Sequence, residues 1–362
     1  MDPRRAIPLL VCATLCACGA RTGVDVDPPP ERHDAGFDDG FDTFPCRWSL
    51  TQPALVARDP MPFVQLHGAV HGLRDEVVVL GRTASREGFF GARMQLANPA
   101  VRIESVELDA RAVHGHRAGW VLLASTGCSI EHVDSELEIV SSMEFDTECF
   151  LEPNDPAHLD VTHLAGGVLV TSWLLPDGPM TTTEIVRSPE VTVARSVRLD
   201  GSGVIVAAIE RGVLRVYRAS EGSHEEADLG TQTRPFALAL DRVRPAAVIL
   251  RRDPAGVWRL ERIPFEGELR LVELADLSVL GAEPFGTMIT NETEAMFPLR
   301  DGRVAIAPVD GSAVRFIGPV PEAPVSDMAV VMRPGSSGGG ILYTHPGPGG
   351  SHLTFRALTC NR

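Results

Sequence analysis

The sequence predicts an all-β fold, a β-propeller of seven four-stranded blades closed by strands from the two chain ends. An apolar strand preceded by a turn signal recurs seven times, and strands of alternating polarity lie between the copies. Helical periodicity is scarce, because 34 Gly and 28 Pro interrupt almost every segment of the chain. These three observations together favour a ring of small sheets.

The repeated unit is clearest at residues 301–307 (DGRVAIA), where a tight turn leads into a wholly apolar strand. Asp-Gly and Gly-Gly pairs supply the positive φ that a two-residue hairpin turn requires. The mean interval between copies is about 44 residues, which is the length of one four-stranded blade. The apolar runs begin at Val77, Trp120, Val168, Val204, Ala246, Val304 and Ile341.

Strands of alternating polarity separate these apolar runs, for example residues 136–139 (ELEI) and 258–261 (WRLE). Alternation predicts strands with one face in water, as expected for the outer part of a blade. A β-sandwich is the alternative, because it also has many short strands at even spacing. Sandwich domains of roughly 100 residues would not produce seven copies of one hairpin, so the propeller is favoured.

The charge balance is strongly acidic, with a net charge of −15 and arginine as the basic residue throughout, since the chain contains no lysine. Nucleic-acid binding requires a positive patch that neutralises phosphates, and no basic cluster is present in the sequence. Electrostatic docking to anionic lipid is disfavoured for the same reason. We therefore expect neither nucleic acid nor a lipid headgroup as a partner, and no motif indicates a cofactor.

The N-terminus reads as a signal peptide of residues 1–17. Arg4 and Arg5 form a charged start, and residues 6–15 form an apolar run too short to span a bilayer. The tetrapeptide at 15–18 (LCAC) then resembles the lipobox of bacterial lipoproteins. This resemblance implies cleavage before Cys18, a diacylglyceryl thioether on its sulfur and acylation of the new N-terminus, such as by palmitate. An ordinary secretory signal cleaved nearby is the alternative.

Residues 18–45 are predicted to be the lipidated cysteine followed by a disordered acidic linker. The segment after Cys18 holds three consecutive prolines and seven acidic residues against two arginines, so it cannot bury enough surface to order itself. The segment resembles the linkers of myxobacterial lipoproteins. The resemblance implies an extracytoplasmic protein of the cell envelope, anchored by lipid to the outer membrane. It ends near Cys46, and the sevenfold repeat predicts residues 46–362 as the propeller. No later apolar run reaches the length of a transmembrane helix.

Four cysteines remain after the signal peptide and Cys18 are set aside, and an even number in an oxidising compartment predicts disulfides. Three pairings are open, and we favour Cys46–Cys360 with Cys128–Cys149. The first pairing fits a ring in which residues 47–56 lie antiparallel to residues 351–359. The second would join blades 2 and 3. The chain has no Cys-x-x-Cys pair, which disfavours zinc.

The sequence predicts no catalytic residue. Residues 335–339 (GSSGG) match the G-x-S-x-G pattern but lie in a glycine-rich loop with no helix signal after them. His114 and His116 would share one face of an extended strand and are weak candidates for a metal pair, without a third ligand. The tryptophans are expected to pack between blades; they are Trp48, Trp120, Trp173 and Trp258.

These features predict a monomeric, membrane-anchored binding or scaffolding module for protein, peptide or glycan. The alternative is an extracytoplasmic hydrolase or lyase that uses the propeller channel. An enzyme should place converging polar groups with shifted pKa values in the channel. A binding module would instead present an exposed patch, with few such groups along the axis.

Overall fold

Seven antiparallel sheets form from the part of the chain that the computed structural model describes. The described residues are 47–85, 88–116, 119–124, 127–152, 158–174, 180–199, 203–220, 223–231, 236–241, 245–291, 293–320, 322, 325–333 and 338–361. They belong to the compact unit Phe44–Arg362, which is distinct from the unit Met1–Thr43. The predicted signal peptide, Cys18, the linker and Cys46 lie outside the described residues.

Six blades are each built from four consecutive strands. The chain begins with β1 (Arg47–Leu50) and β2 (Ala54–Asp59), which join the last blade. Blade 1 contains β3 (Phe63–Val70), β4 (Glu76–Thr83), β5 (Phe89–Gln95) and β6 (Arg102–Leu108). Blade 2 contains β7 (Ala110–His116), β8 (Gly119–Ala124), β9 (Cys128–Asp134) and β10 (Ile139–Phe145). Blade 3 contains β11 (Cys149–Glu152), β12 (His158–Leu164), β13 (Val168–Leu174) and β14 (Met180–Val186).

The next three blades repeat this order. Blade 4 contains β15 (Val191–Leu199), β16 (Gly203–Glu210), β17 (Val213–Ser220) and β18 (Ser223–Thr231). Blade 5 contains β19 (Ala237–Asp241), β20 (Ala246–Arg252), β21 (Trp258–Pro264) and β22 (Val272–Ala275), followed by a short 3-10 helix, Leu277–Leu280. Blade 6 contains β23 (Ile289–Thr290), β24 (Glu294–Pro298), β25 (Val304–Pro308) and β26 (Arg315–Ile317).

Blade 7 joins the two ends of the domain. Its inner strands are β27 (Asp327–Met332), β28 (Gly338–Gly347) and β29 (Gly350–Asn361), and both N-terminal strands pair with β29 as its outer neighbours. Pairing runs antiparallel from Arg47 opposite Asn361 in β1 to Asp59 opposite Ser351 in β2. This confirms the predicted closure of the ring by strands from opposite ends of the chain.

The second strands of the blades recur more evenly than the apolar runs chosen from the sequence. Five of the seven runs lie in second strands, but Val168 and Val304 begin third strands, β13 and β25. Successive second strands start 39 to 48 residues apart, at Glu76, Gly119, His158, Gly203, Ala246, Glu294 and Gly338. The intervals between the seven apolar runs vary more widely, because these runs include both second and third strands. Strands of both kinds are buried between neighbouring blades.

The hydrophobic core is a ring of seven clusters, one at each interface between neighbouring blades. Trp120 is fully buried between blades 1 and 2, and Trp173 is buried between blades 2 and 3. Trp258 packs partly buried between blades 5 and 6, and Trp48 does so between blades 6 and 7. The prediction that the tryptophans pack between blades is therefore confirmed.

Side-chain hydrogen bonds also cross each of the seven interfaces, from blades 1–2 round to 7–1. Buried donors need partners, so each bond fixes how two apolar faces meet. The donors and acceptors are Arg93 to Ser135 O, Arg111 to Cys149 O, Thr162 to Ser196 Oγ, Arg218 to Pro264 O, Thr290 to Leu240 O, Trp48 to Glu294 and Arg333 to Arg74 O.

A disulfide joins Cys128 of β9 to Cys149 of β11, with the two Cα atoms 5.5 Å apart. The predicted covalent link between blades 2 and 3 is therefore confirmed. Cys360 is also disulfide-bonded. Its predicted partner, Cys46, lies outside the described residues, so the Cys46–Cys360 pairing stays a prediction.

We expect the double substitution Cys128→Ala/Cys149→Ala to lower the free energy of unfolding by roughly 3 kcal/mol. The bond closes a loop with a sequence separation of 21 residues, and a loop of that length restricts the unfolded chain by about this amount. Urea denaturation of the oxidised protein and the variant measures the difference. Equal midpoints and slopes for the two proteins would contradict a stabilising role.

Residues 136–139 (ELEI) differ from the expectation of a strand. Residues 136–138 lie in the turn between β9 and β10, in which Leu137 has a φ of 64°, and Ile139 is the first residue of β10. Asp134 Oδ1 accepts hydrogen bonds from the backbone N–H groups of Glu136 and Glu138 and holds this turn. A carboxylate that binds its own backbone two residues on favours a turn over a strand.

Among the described residues, no helix has the length and apolar character needed to cross a membrane.

Candidate functional site

The first strand of each blade lines the channel at the centre of the ring. First strands contact one another between most neighbouring blades, for example β3 with β7 and β15 with β19, and β27 of blade 7 contacts β3 of blade 1. Three polar side chains occupy the same position, the fifth residue, on three of these strands: His67 of β3, His114 of β7 and Arg195 of β15. The repeat thus places residues from blades 1, 2 and 4 at one level of the channel.

Close approach of blades 1 and 2 positions His114. A Cβ atom at the next residue, Gly115, would lie 1.8 Å from the carbonyl oxygen of Val70 in β3. Only glycine allows two backbones to approach this closely. The contact therefore holds β7 against β3 and brings His114 near His67, which influences its pKa.

His67 is fixed by neighbours from its own blade. Its Nε2 atom lies 3.0 Å from Nε2 of Gln65, and its ring meets Phe89 edge-on at 5.3 Å between centroids. The guanidinium of Arg82 on β4 lies 6.0 Å from the same Phe89 ring. Arg82 forms no ion pair with another described residue, and its Nε atom is buried without a hydrogen-bond acceptor among them. This guanidinium therefore keeps donors that the described residues do not use.

Arg195 is contributed by β15 of blade 4. Its guanidinium carbon lies 5.0 Å from the ring centroid of Phe150 on β11, a cation–π distance that orients the planar group. Its charge acts on both His67 and His114. We call His67, Arg82, His114, Phe150 and Arg195 the channel cluster.

Both imidazoles of the channel cluster are neutral at physiological pH. Burial, followed by the charges of Arg195 and Arg82, lowers the pKa of His67 to about 4. Burial, followed by His67 and Arg195, lowers the pKa of His114 to about 3. A neutral imidazole offers one N–H donor and one acceptor nitrogen, so each ring can bind a polar ligand or accept a proton.

The two weak metal candidates, His114 and His116, have different neighbours. His116 is buried and packs edge-on against His132 at 4.7 Å between ring centroids, whereas His114 belongs to the channel cluster. Within the described ranges, no group of three or more His, Cys, Asp or Glu side chains could hold a metal ion. Residues 335–337 of the G-x-S-x-G pattern lie outside those ranges, and its last two residues begin the strand β28.

A second concavity lies on the outer part of blade 5, with a volume of about 490 Å³. Apolar side chains such as Pro245, Pro264 and Val272 contribute to its wall. Charges of both signs surround it, from Arg262, Glu266, Glu268 and Arg270. Because these opposite charges balance, the cleft shows no clear preference for one ligand class.

The sequence analysis named His114 of the channel cluster but neither Arg82 nor Arg195. The signal that could have identified Arg195 is its place in the blade, the fifth residue of a first strand, as for both histidines. Arg82 lies at the end of a second strand, opposite Gln65 in the register of β3 and β4. Arg82 joins the cluster beside Phe89 of the next strand, β5, and the sequence of β4 alone does not reveal this contact.

No protein-family model matches this chain. The chain is 30% identical over 149 residues to the ATP-dependent dethiobiotin synthetase BioD of Mycobacterium bovis, and 28% identical to that of Mycobacterium tuberculosis. The match covers 37% of this chain and spans about 64% of the length of these relatives. This chain has no lysine and hence no G-x-x-x-x-G-K-[ST] loop for ATP phosphates. The resemblance therefore gives no reason to place an ATP site here.

Solved structures of similar fold cover most of the chain. The WD40 domain of Toxoplasma gondii coronin matches 87% of this chain and 86% of its own, with a TM-score of 0.54 and 10% identity. A chain of the mitotic checkpoint complex matches 96% and 98%, with a TM-score of 0.54 and 11% identity. A prolyl endopeptidase matches 82% of this chain and 50% of its own, with a TM-score of 0.51 and 12% identity. At such identities the likeness concerns the fold alone: residues 47–361 form a seven-bladed β-propeller.

Proposed function

We propose that this protein is a binding module of the bacterial cell envelope, and that the channel cluster is its ligand site. The observation that carries this proposal is that polar side chains from three different blades lie at one place in the channel. Blades 1, 2 and 4 each contribute a polar side chain at one level of the channel, although His67, His114 and Arg195 lie far apart in the sequence. Packing alone does not require desolvated polar groups at that place.

A peptide is favoured over a glycan as the ligand. Sugar-binding sites commonly present an aromatic face, but none of the four tryptophans is exposed, since each packs into an interface between blades. Both tyrosines, Tyr217 and Tyr343, are also buried. A peptide instead requires hydrogen-bonding groups at a few points, which the two neutral imidazoles provide.

We further propose that the propeller is tethered to the outer membrane through Cys18, with residues 19–45 as a spacer. The lipobox-like residues 15–18 and the acidic, proline-containing composition of the spacer support this proposal. Two or three acyl chains anchor durably where one chain binds only marginally. Intact mass of the membrane fraction should show a triacylated protein beginning at Cys18, and Cys18→Ala should shift the protein to the soluble fraction. An unmodified N-terminus would contradict the anchor.

A second candidate function is catalysis by a hydrolase or lyase, favoured by the same neutral imidazoles. A histidine that is unprotonated at pH 7 can accept a proton from water or from a substrate. The two functions predict different fates for a bound ligand. A binding module releases it unchanged, whereas an enzyme returns a product.

Screening a peptide array with the purified full chain in detergent tests both functions. We expect bound peptides to be lost, with affinity lowered by more than about tenfold (1.4 kcal/mol), when His114→Trp fills the channel. Thr181→Trp places the same side chain on the exposed outer strand β14 and should leave binding intact. Mass spectrometry of recovered peptides then distinguishes release from turnover. Equal binding by both variants would place the ligand site elsewhere.

A further inference from the structure

We propose that the outer edge of blade 2, formed by β10, is a docking site for an extended segment of another protein that alternates basic and apolar residues. The segment would add to the blade as a fifth strand, with its backbone paired to that of β10. This edge is separate from the channel cluster, so the inference goes beyond the proposed function and does not rest on it.

The first argument is the open backbone of β10. This strand pairs with β9 on one side and ends the sheet of blade 2 on the other, where no described strand pairs with it. A bulge between Ile139 and Ser141 is confined to its start, and the register then continues regularly to Phe145. Native edge strands are commonly protected by basic residues or proline, and β10 contains neither. The outward backbone groups of residues 142–145 can therefore pair with another chain.

The second argument is the apolar surface along this edge. Ile139 and Val140 are 61% and 47% exposed at the start of the strand. Met143 and Phe145, which share one face of β10, are only partly buried and pack against the apolar cluster between blades 2 and 3. Side chains of an added strand lie beside those of its neighbour. Apolar residues of the docked segment would therefore extend this cluster.

The third argument is the negative charge of the other face of β10, which selects the partner. Residues 119–152 contain eight acidic residues and no arginine. Glu131 of β9 lies directly opposite Ser142, and Glu144 is two residues further on, so both carboxylates lie on the same face. Neither carboxylate forms an ion pair with another described residue. Basic residues on the matching face of the docked segment would supply the missing positive charge.

The same charge disfavours two other occupants. The segment 19–45 carries seven acidic residues against two arginines, and a second copy of this chain would place one acidic β10 edge against another. Like charges directly opposite each other on paired strands are destabilising. A cationic segment of a different protein is therefore the occupant that fits this edge.

Fluorescence anisotropy with labelled octapeptides and the purified full chain in detergent tests the inference. We expect saturable binding of the basic probe RVRVTVRV and no binding of its acidic counterpart EVEVTVEV. Glu131→Lys/Glu144→Lys should weaken binding of the basic probe by about tenfold or more, because each reversal turns an attraction into a repulsion. Glu226→Lys/Glu268→Lys makes the same change of charge at exposed positions of blades 4 and 5 and should leave binding unchanged.

Hydrogen exchange with and without the basic probe tests the backbone pairing. Alternate amides of an edge strand point outward, so the probe should slow exchange at alternate residues of β10 and leave β14 unaffected. Of Ser142 and Met143, the one whose amide exchanges faster in the free chain is then replaced by proline, which outward edge positions tolerate. This variant should no longer bind the probe.

Two results would overturn the inference. Equal affinity of the parent chain and Glu131→Lys/Glu144→Lys for the basic probe would show that the acidic face does not select the partner. Binding that is lost on charge reversal but gives no protection of β10 amides would show attraction to the surface without an added strand. Because the channel variant His114→Trp leaves this edge intact, it should bind the basic probe as the parent chain does, whatever the outcome for the channel.

Discussion

Lowering the pH from 7 to 4 is expected to destabilise the propeller by about 3 kcal/mol for each of His67 and His114. The folded-state pKa values are about 4 for His67 and about 3 for His114. An unfolded histidine has a pKa of about 6.5. Between these values the unfolded chain binds protons that the folded chain excludes, so stability falls as the pH falls.

The sign of this effect follows from burial. The folded channel disfavours the imidazolium ion, first through desolvation and then through the nearby arginines. The contribution of each histidine is complete above pH 6.5 and is lost progressively on acidification towards the folded pKa. His71 adds to the trend, because burial and the charge of Arg74 lower its pKa to about 4 as well.

Urea denaturation at several pH values between 7 and 4 measures this loss, and histidine variants isolate it from the titration of carboxylates. His67→Gln and His114→Gln should each flatten the pH dependence by about 3 kcal/mol. His224→Gln, at an exposed position on the outer strand β18, is the matched control. A channel variant with the same acid sensitivity as the parent chain would falsify the account of buried neutral histidines.

The architecture of the ring was accessible from the sequence because it depends on composition and period. Turn residues and apolar strands repeat once per blade, so the blade count, the closing strands and the tryptophan positions could all be predicted. The strand identities were harder to assign. Val168 and Val304 begin third strands that are as apolar as second strands, since neighbouring blades bury both.

The channel cluster was accessible only in part, because it depends on which residues meet across the ring. His67 and His114 occupy equivalent positions in consecutive blades, and the spacing of the repeat relates them. Arg195 belongs to a blade two further on, and its distance from the histidines depends on the diameter of the channel. Arg82 joins the cluster through packing against Phe89, which no local pattern encodes.

The Glu294 carboxylate links the N-terminal strand to the ring, and its removal is expected to cost about 2–4 kcal/mol, the sum of a hydrogen bond to a charged group and a partly exposed ion pair. Glu294 is 1% exposed; it forms an ion pair with Arg315 of β26 and accepts a hydrogen bond of 2.6 Å from Trp48 Nε1 of β1. Glu294→Leu removes this carboxylate from Arg315 and takes the acceptor away from the partly buried indole N–H of Trp48. The lost Trp48–Glu294 hydrogen bond lies at the interface between blades 6 and 7, beside the blade that closes the ring.

Urea denaturation gives the total loss for Glu294→Leu, and hydrogen exchange locates it. We expect faster exchange of the β1 amides that pair with β29, because β1 loses its side-chain link to blade 6. Trp48→Phe removes only the indole N–H and should cost about 1.5–3 kcal/mol, as for a hydrogen bond to a charged group. The exposed Glu184–Arg187 pair provides the control, since Glu184→Leu should change stability by less than about 1 kcal/mol. Similar losses for Glu294→Leu and Glu184→Leu would show that the carboxylate does not hold the ring closed.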